Sequence, residues 1–195
     1  MKFFACFIFC CFALHAFAGE PSKFPRIVAD PYAAFIATDE DFRFSDRIRE
    51  IHYDFNADGL QDTAFTDTIG CGHRGNCSWD LFIRQPDDRF LEVGFIAYRL
   101  HLKVNRAKDG GTYIHTFIVG TQGHDVICSY RLTDHQLKQL PDESIYIGDE
   151  GDIRRLHQVF GKEDPKELDS KSYTPKEFVS KIQISNTEQD AAANP

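Results

Sequence analysis

Seven short runs of β-branched and aromatic residues, cut apart by Gly, Asp and Asn, constrain this chain more than any other feature. They occupy 47–54, 63–69, 78–85, 89–98, 100–106, 111–120 and 126–132. Runs of this length and composition, bounded by turn residues, read as strands. Pro86-Asp87-Asp88 and Asp109-Gly110-Gly111 are tight-turn signals between consecutive runs, so neighbouring strands are expected to pair antiparallel as a meander. Within 113–119, Tyr113, His115, Phe117 and Val119 fall on one face, and Ile114, Thr116 and Ile118 on the other. Side chains alternate along a strand. Both faces here are half apolar, which is the pattern of a layered sheet.

The C-terminal third changes texture. Thr133-Asp134-His135-Gln136 has capping-box spacing and predicts a short helix ending near Pro141. Asp152 to Phe160 suits another helix. Thr174-Pro175-Lys176-Glu177 is a second capping box with proline at the first helical position, and it predicts a helix over 175–183. At the other end, 19–30 reads as a polar, proline-bearing lead-in. The expected fold is α+β and predominantly antiparallel β, in one domain over 19–184, with the polar stretch 185–195 as a disordered tail.

The first eighteen residues, MKFFACFIFCCFALHAFA, carry Lys2, an apolar run from Phe3 to Leu14, and small residues at Ala16 and Ala18. That is the three-part pattern of a cleavable signal peptide. The apolar run falls short of the roughly twenty residues that span a bilayer. Cleavage is expected after Ala18, giving a periplasmic or secreted chain with no integral membrane segment. Lipidation at Cys10 or Cys11 is not expected, because the small residue a lipobox needs just before its cysteine is missing. Losing Lys2 takes the formal charge from −8 to −9 over the remaining 177 residues. Such an acidic chain is a poor partner for nucleic acid or an anionic membrane, since both need basic patches. A divalent cation suits it.

Three cysteines remain: Cys71, Cys77 and Cys128. Export favours oxidation. Cys71 and Cys77 flank a segment, GHRGN, that can turn back on itself. Their disulfide would close a seven-residue loop, worth roughly 2 kcal/mol and leaving Cys128 as a buried free thiol. The odd count leaves a Cys71–Cys128 or Cys77–Cys128 link open, because connectivity does not follow from sequence.

The chemistry-bearing segment is Asp54-Phe55-Asn56-Ala57-Asp58-Gly59-Leu60-Gln61-Asp62. Oxygen side chains stand at its positions 1, 3, 5 and 9, with glycine at position 6. Calcium takes six to eight oxygen ligands. Alternate residues of a curled loop can aim Asp54, Asn56 and Asp58 at one point. Gly59 permits the sharp turn, the Leu60 carbonyl would point inward, and Asp62 would close the site. Carboxylates this close repel one another unless a cation lies between them. Phe65 stands where a helical EF-hand places its bidentate Glu, and the flanks Ile51-His52-Tyr53 and Thr63-Ala64-Phe65-Thr66 are strand-like.

The D-x-N-x-D-G-x-x-D spacing between two strands resembles the calcium loops of the FG-GAP/VCBS repeats found in integrin α-subunit propellers and many exported bacterial proteins. The next stretch, Cys71-Gly72 and Gly75-Asn76-Cys77 leading into Ser78-Trp79-Asp80-Leu81-Phe82, is similar to small bacterial periplasmic proteins in which such a hairpin precedes a CG-x-x-G-x-C turn. The resemblance implies a calcium-loop hairpin in a small exported domain. One loop is present where a propeller carries one per blade, so neither the propeller nor integrin-type adhesion is implied.

Other constellations are weaker. Cys71-x-His73 and His124-x3-Cys128 do not match a zinc-finger spacing. Cys128 lies in a strand-like run, where a nucleophile is not expected. Asp87-Asp88 and Asp149-Glu150 stand in polar turns and read as solvated charge. Asn76-Cys77-Ser78 matches a glycosylation sequon and reads as incidental. The expected function is binding to a protein or envelope component without catalysis, with an envelope hydrolase or enzyme inhibitor as the alternative.

Overall fold

The computed structural model describes residues 24–38, 42–69, 71–72, 75–133, 136–162 and 168–182. The leader at 1–18 and the tail at 185–195 lie outside these. The chain runs β1 (Arg26–Val28), α1 (Pro31–Thr38), a 3₁₀ turn (Phe42–Phe44), β2 (Ile48–Tyr53), β3 (Asp62–Asp67), β4 (Cys77–Arg84), β5 (Phe90–Tyr98), β6 (Leu100–Arg106) and β7 (Thr112–Ile118). It continues through β8 (His124–Thr133), β9 (Gln136–Gln139), β10 (Glu143–Tyr146), α2 (Glu150–Phe160), β11 (Lys171–Tyr173) and a last helix, α3, at 175–182.

The strands form two antiparallel sheets. The first has the order β1-β5-β4-β3-β2-β11. The second has the order β10-β8-β7-β6, with β9 pairing the far half of β8. The expected meander is therefore cut in two between Tyr98 and Leu100, where the chain leaves the first sheet and starts the second. The turns at Pro86 and Asp109 close the β4–β5 and β6–β7 hairpins as read from sequence: Gln85 N–H donates to Arg89 O (2.7 Å), and Ala107 N–H to Gly111 O (2.7 Å).

Alternation along the strands produces four layers. Ile51, Ala64, Trp79, Leu81 and Ile96 of the first sheet pack against Ile114, Tyr130 and Leu132 of the second, forming the central core. The opposite face of the first sheet presents Ile48, Phe65 and Phe82 to Phe35 of α1 and Phe178 of α3. The outer face of the second sheet presents Phe117, Ile127 and Ile145 to Leu156, Val159 and Phe160 of α2. Every residue of β3 is buried, because both faces of that strand are covered. In β7, Ile114 belongs to the central core and Phe117 to the α2 side, as the two half-apolar faces imply.

A bulge adjusts this alternation in β5. Leu81 of β4 pairs with Gly94 while Phe82 pairs with Glu92, so Val93 is an extra residue. Gly94 takes φ 121 there, a backbone conformation that side chains disfavour. The bulge lets Leu91 and Val93, then Ile96 and Tyr98, all face the central core.

Two helices follow the sequence reading. α2 begins two residues earlier than expected, with Asp149 accepting from the Gly151 and Asp152 N–H groups as its N-cap. In α3, Glu177 N–H donates to Thr174 Oγ1 (3.3 Å), and Thr174 N–H donates to Glu177 (2.7 Å), completing the reciprocal cap. Two expectations fail. The helix expected after Thr133 is strand β9, because Leu137 pairs across from Leu132 and packs on the central core. Residues 134 and 135 of that capping box lie outside the described residues. The lead-in at 19–30 contains β1, which pairs with β5 through Arg26↔Glu92.

Phe178 is fully buried, and its ring meets those of Tyr32, Phe35, Phe42, Phe65 and Tyr173 at 5.2–6.2 Å. Phe178→Ala leaves a cavity at the junction of α1, α3 and the first sheet, and should cost about 3–5 kcal/mol of stability. Urea unfolding followed by circular dichroism checks this; a loss below about 1 kcal/mol would mean that α3 does not hold the outer layer.

Candidate functional site: the Asp54–Asp62 loop and the face beside it

The loop joins β2 to β3 and curls around Asp54. The Asp54 Oδ1 atom accepts from Asp58 N–H (3.0 Å), and Oδ2 from Gly59 N–H (2.9 Å). Asn56 Oδ1 accepts from the same Asp58 N–H (3.1 Å), Asn56 Nδ2 donates to Asp58 Oδ2 (2.7 Å), and Leu60 N–H donates to Asp58 Oδ1 (2.8 Å). Ala57 at φ 57 and Gly59 at φ 93 make the sharp reversals. Asp54, Asn56 and Asp58 are thus gathered on one curl.

Asp62 plays a different part. It is fully buried; its Oδ2 accepts from Phe55 N–H (2.7 Å) and its Oδ1 from Arg84 N–H (2.8 Å), tying the loop to β4. Burial pushes its carboxyl up to about 7 against the pull of those two N–H groups, and the Asp58 and Asp54 charges push the same way. Among the described residues, no group of three or more His, Cys, Asp or Glu side chains is set as a metal cage. The oxygens the spacing singled out lie in one loop, with Asp62 behind it on backbone donors.

The loop is not a free tip. Phe55 is buried in the central core beside Tyr53. Thr112 Oγ1 donates to Asn56 O (2.8 Å) and Arg106 Nη1 to Ala57 O (3.0 Å), so the β6–β7 end of the second sheet holds the loop. At the opposite end of the first sheet, Cys71 and Cys77 are disulfide-bonded, and Cys128 is a buried free thiol. Burial pushes that thiol up to about 12, far from a thiolate at neutral pH. Asn76 of this turn donates to Val119 O (2.9 Å) and accepts from Val119 N–H (3.1 Å), bonding the turn to the second sheet.

The remaining constellations resolve as structure. Asp87 pairs with Arg89 (2.6 Å) and Asp88 with Arg84 (2.7 Å) on the exposed turn. Asp149 is a helix cap. The His124 ring packs on Tyr146 (4.9 Å). His73 lies outside the described residues.

A network that sequence reading missed lies on the helix side of the first sheet. Glu50 is fully buried there and accepts from the Tyr32 hydroxyl, the Tyr173 hydroxyl (2.7 Å) and Lys181 Nζ (3.3 Å), with His52 Nε2 at 2.8 Å. Lys181 also lies over the Tyr173 ring (4.3 Å) and the Tyr32 ring (5.1 Å). Burial alone would raise the Glu50 carboxyl. The hydrogen bonds from His52, Tyr32 and Tyr173 outweigh it and hold the group at about 2. Burial, and then the contact with Glu50, raises both tyrosines. The only signal along the chain was Glu50 and His52 two residues apart on one strand face, following Ile48.

No family model matches this chain, and no curated protein or solved structure is similar to it. The molecule combines two stacked antiparallel sheets with helices on both outer faces, an Asp/Asn loop held by the second sheet, and a buried carboxylate network. No helix among the described residues is long and apolar enough to cross a membrane.

A carboxyl held below its ordinary 4.5 stabilises the fold above that value, and the contribution drains away as pH falls toward 2. A shift of this size is worth about 3 kcal/mol. Native protein should therefore lose stability steeply between pH 4.5 and 2, and Glu50→Gln should show a flatter profile there. Parallel slopes for the two proteins in acid urea titrations would remove Glu50 from the account.

Proposed function

We propose that this chain is an exported calcium-binding β domain, periplasmic or secreted, acting as a binding module for a protein or another component of the cell envelope. The observation that carries this reading is the curl of Asp54, Asn56 and Asp58, drawn together by the N–H groups of residues 58, 59 and 60. Both Asp54 oxygens, Asn56 Oδ1 and Asp58 Oδ1 each use one lone pair on a backbone donor, Asp58 Oδ2 uses one on the Asn56 amide, and each keeps another for a cation. With the Leu60 carbonyl and Asp62 completing the set, a hard divalent ion would relieve the repulsion that acts on Asp62.

Two further features support a role in interaction. The disulfide turn and the loop sit at opposite ends of the first sheet, each bonded to the second sheet, so the end surfaces are rigid. Phe44, Phe95 and Ile27 are exposed apolar side chains on this rigid frame, of the kind that partner surfaces use.

At about 1 mM calcium and a Kd of about 0.1 mM, binding to the folded state adds roughly 1.4 kcal/mol. Melting should rise by several degrees with calcium and fall back with a chelator. Asp58→Ala should abolish the rise and remain folded, since Asp58 is exposed. Identical melting with calcium and with chelator would reduce the loop to a hydrogen-bonded turn.

A further inference from the structure

Glu50 and His52 leave the same face of β2, and Thr63 stands directly opposite His52 across the β2–β3 ladder. The three side chains form a line. His52 Nε2 is 2.8 Å from Glu50 Oε1, and His52 Nδ1 is 3.2 Å from Thr63 Oγ1. Glu50, a carboxylate, only accepts, so the tautomer that donates Nε2–H to it turns the Nδ1 lone pair to the Thr63 hydroxyl. Carboxylate, imidazole and hydroxyl stand in the order that activates a nucleophile.

The line is stiff at one end and open at the other. Tyr32, Tyr173 and Lys181 hold Glu50 in place. Thr63 and His52 line a cleft of about 310 Å³, together with the apolar Pro31 and Phe90, the polar Gln61 and the Arg84–Asp88 ion pair. That volume is enough for a small ligand. Thr63 is only 4% exposed, so only a molecule that enters the cleft meets its hydroxyl. A second histidine–hydroxyl pair shows the contrast: His115 Nδ1 lies 2.8 Å from Ser129 Oγ, but Glu143, the carboxylate that faces the ring, is bound to Arg155 at 2.7 Å.

We propose that this cleft is an acyl-transfer site for short carboxylic esters, with Thr63 as nucleophile, His52 as its general base and Glu50 as the residue that positions His52. The Thr63 Oγ–H proton passes to His52 Nδ1 as Oγ bonds the ester carbonyl carbon. The alkoxy C–O bond then breaks and the leaving alcohol takes that proton from His52. Water adds to the acyl-threonine, giving a proton to His52; the acid departs as the proton returns to Thr63 Oγ. The inference does not rest on the calcium reading.

The test uses p-nitrophenyl acetate and the mature chain without calcium. The expected result is a stoichiometric burst of p-nitrophenolate, with one acetyl group mapped to Thr63 by peptide mass spectrometry. Thr63→Val, isosteric and suited to a strand, should stay folded and lose the acetyl; Thr63→Ser should keep it. His52→Gln should slow acylation about a hundredfold. Glu50→Gln should lower the acylation rate at saturating ester and leave the half-saturating ester concentration unchanged, and Glu50→Asp should restore part of the rate; a purely structural role would move both quantities together. Acetylation confined to lysines, or Thr63→Val labelled as fast as the native chain, would overturn the proposal.

Discussion

Both sheets are apolar on both faces, and the architecture follows from that requirement. Two sheets stacked on each other satisfy one face apiece; the remaining faces need helices. Phe65 and Phe82 would be exposed without α1 and α3, and Phe117 and Ile127 without α2. At roughly 25 cal/mol per Å² of apolar surface, covering those side chains together offsets much of the entropy lost in ordering a short helix. α1 and α3 are each about two turns long, below the length at which helices are stable alone. They exist because the sheet needs them.

Some polar groups caught inside this frame bind the two sheets and the outer layer together, although Trp79 Nε1 and Glu92 Oε1 are buried without a hydrogen-bond partner. Thr116 Oγ1 donates to Ala97 O (2.5 Å), and Ala97 N–H donates to Tyr130 (2.9 Å), so the two sheets are hydrogen-bonded through the core as well as at both ends. Glu92, buried beneath β1, pairs with Arg26 through Oε2 alone. Glu50 collects donors from α1, β2, β11 and α3, and so ties the outer helical layer to the sheet it covers. A buried carboxylate with one donor removed is costly, which links the placement of these four elements.

Much of the fold was legible in the chain. All seven strand runs are strands, because long alternating segments bounded by glycine and aspartate turns carry their own signal. What was not legible shares a cause. β1, β9, β10 and β11 are three or four residues long and take their conformation from a longer neighbour. Gln136-Leu137-Lys138-Gln139 has no strand propensity of its own; β8 supplies the template. The apolar α1 has no single polar face to mark it. The loop was visible because its oxygens are contiguous, while the burial of Phe55 and Asp62 was not. The Glu50 network joins residues up to 131 positions apart, and only one pair of them is local.

Phe55 gives the loop a property that its polar residues hide. A surface loop ordinarily opens and closes independently of the domain, with a local free energy well below that of global unfolding. Here a ring from the middle of the loop is a brick of the central core, and the neighbouring carbonyls of Asn56 and Ala57 are held by the second sheet. The loop therefore belongs to the same cooperative unit as the sandwich. Amide hydrogen exchange in β6 and β7 would report events at Asp54–Asp62 as directly as exchange in the loop itself, and the domain would sense an occupant there as a change in its global opening rate.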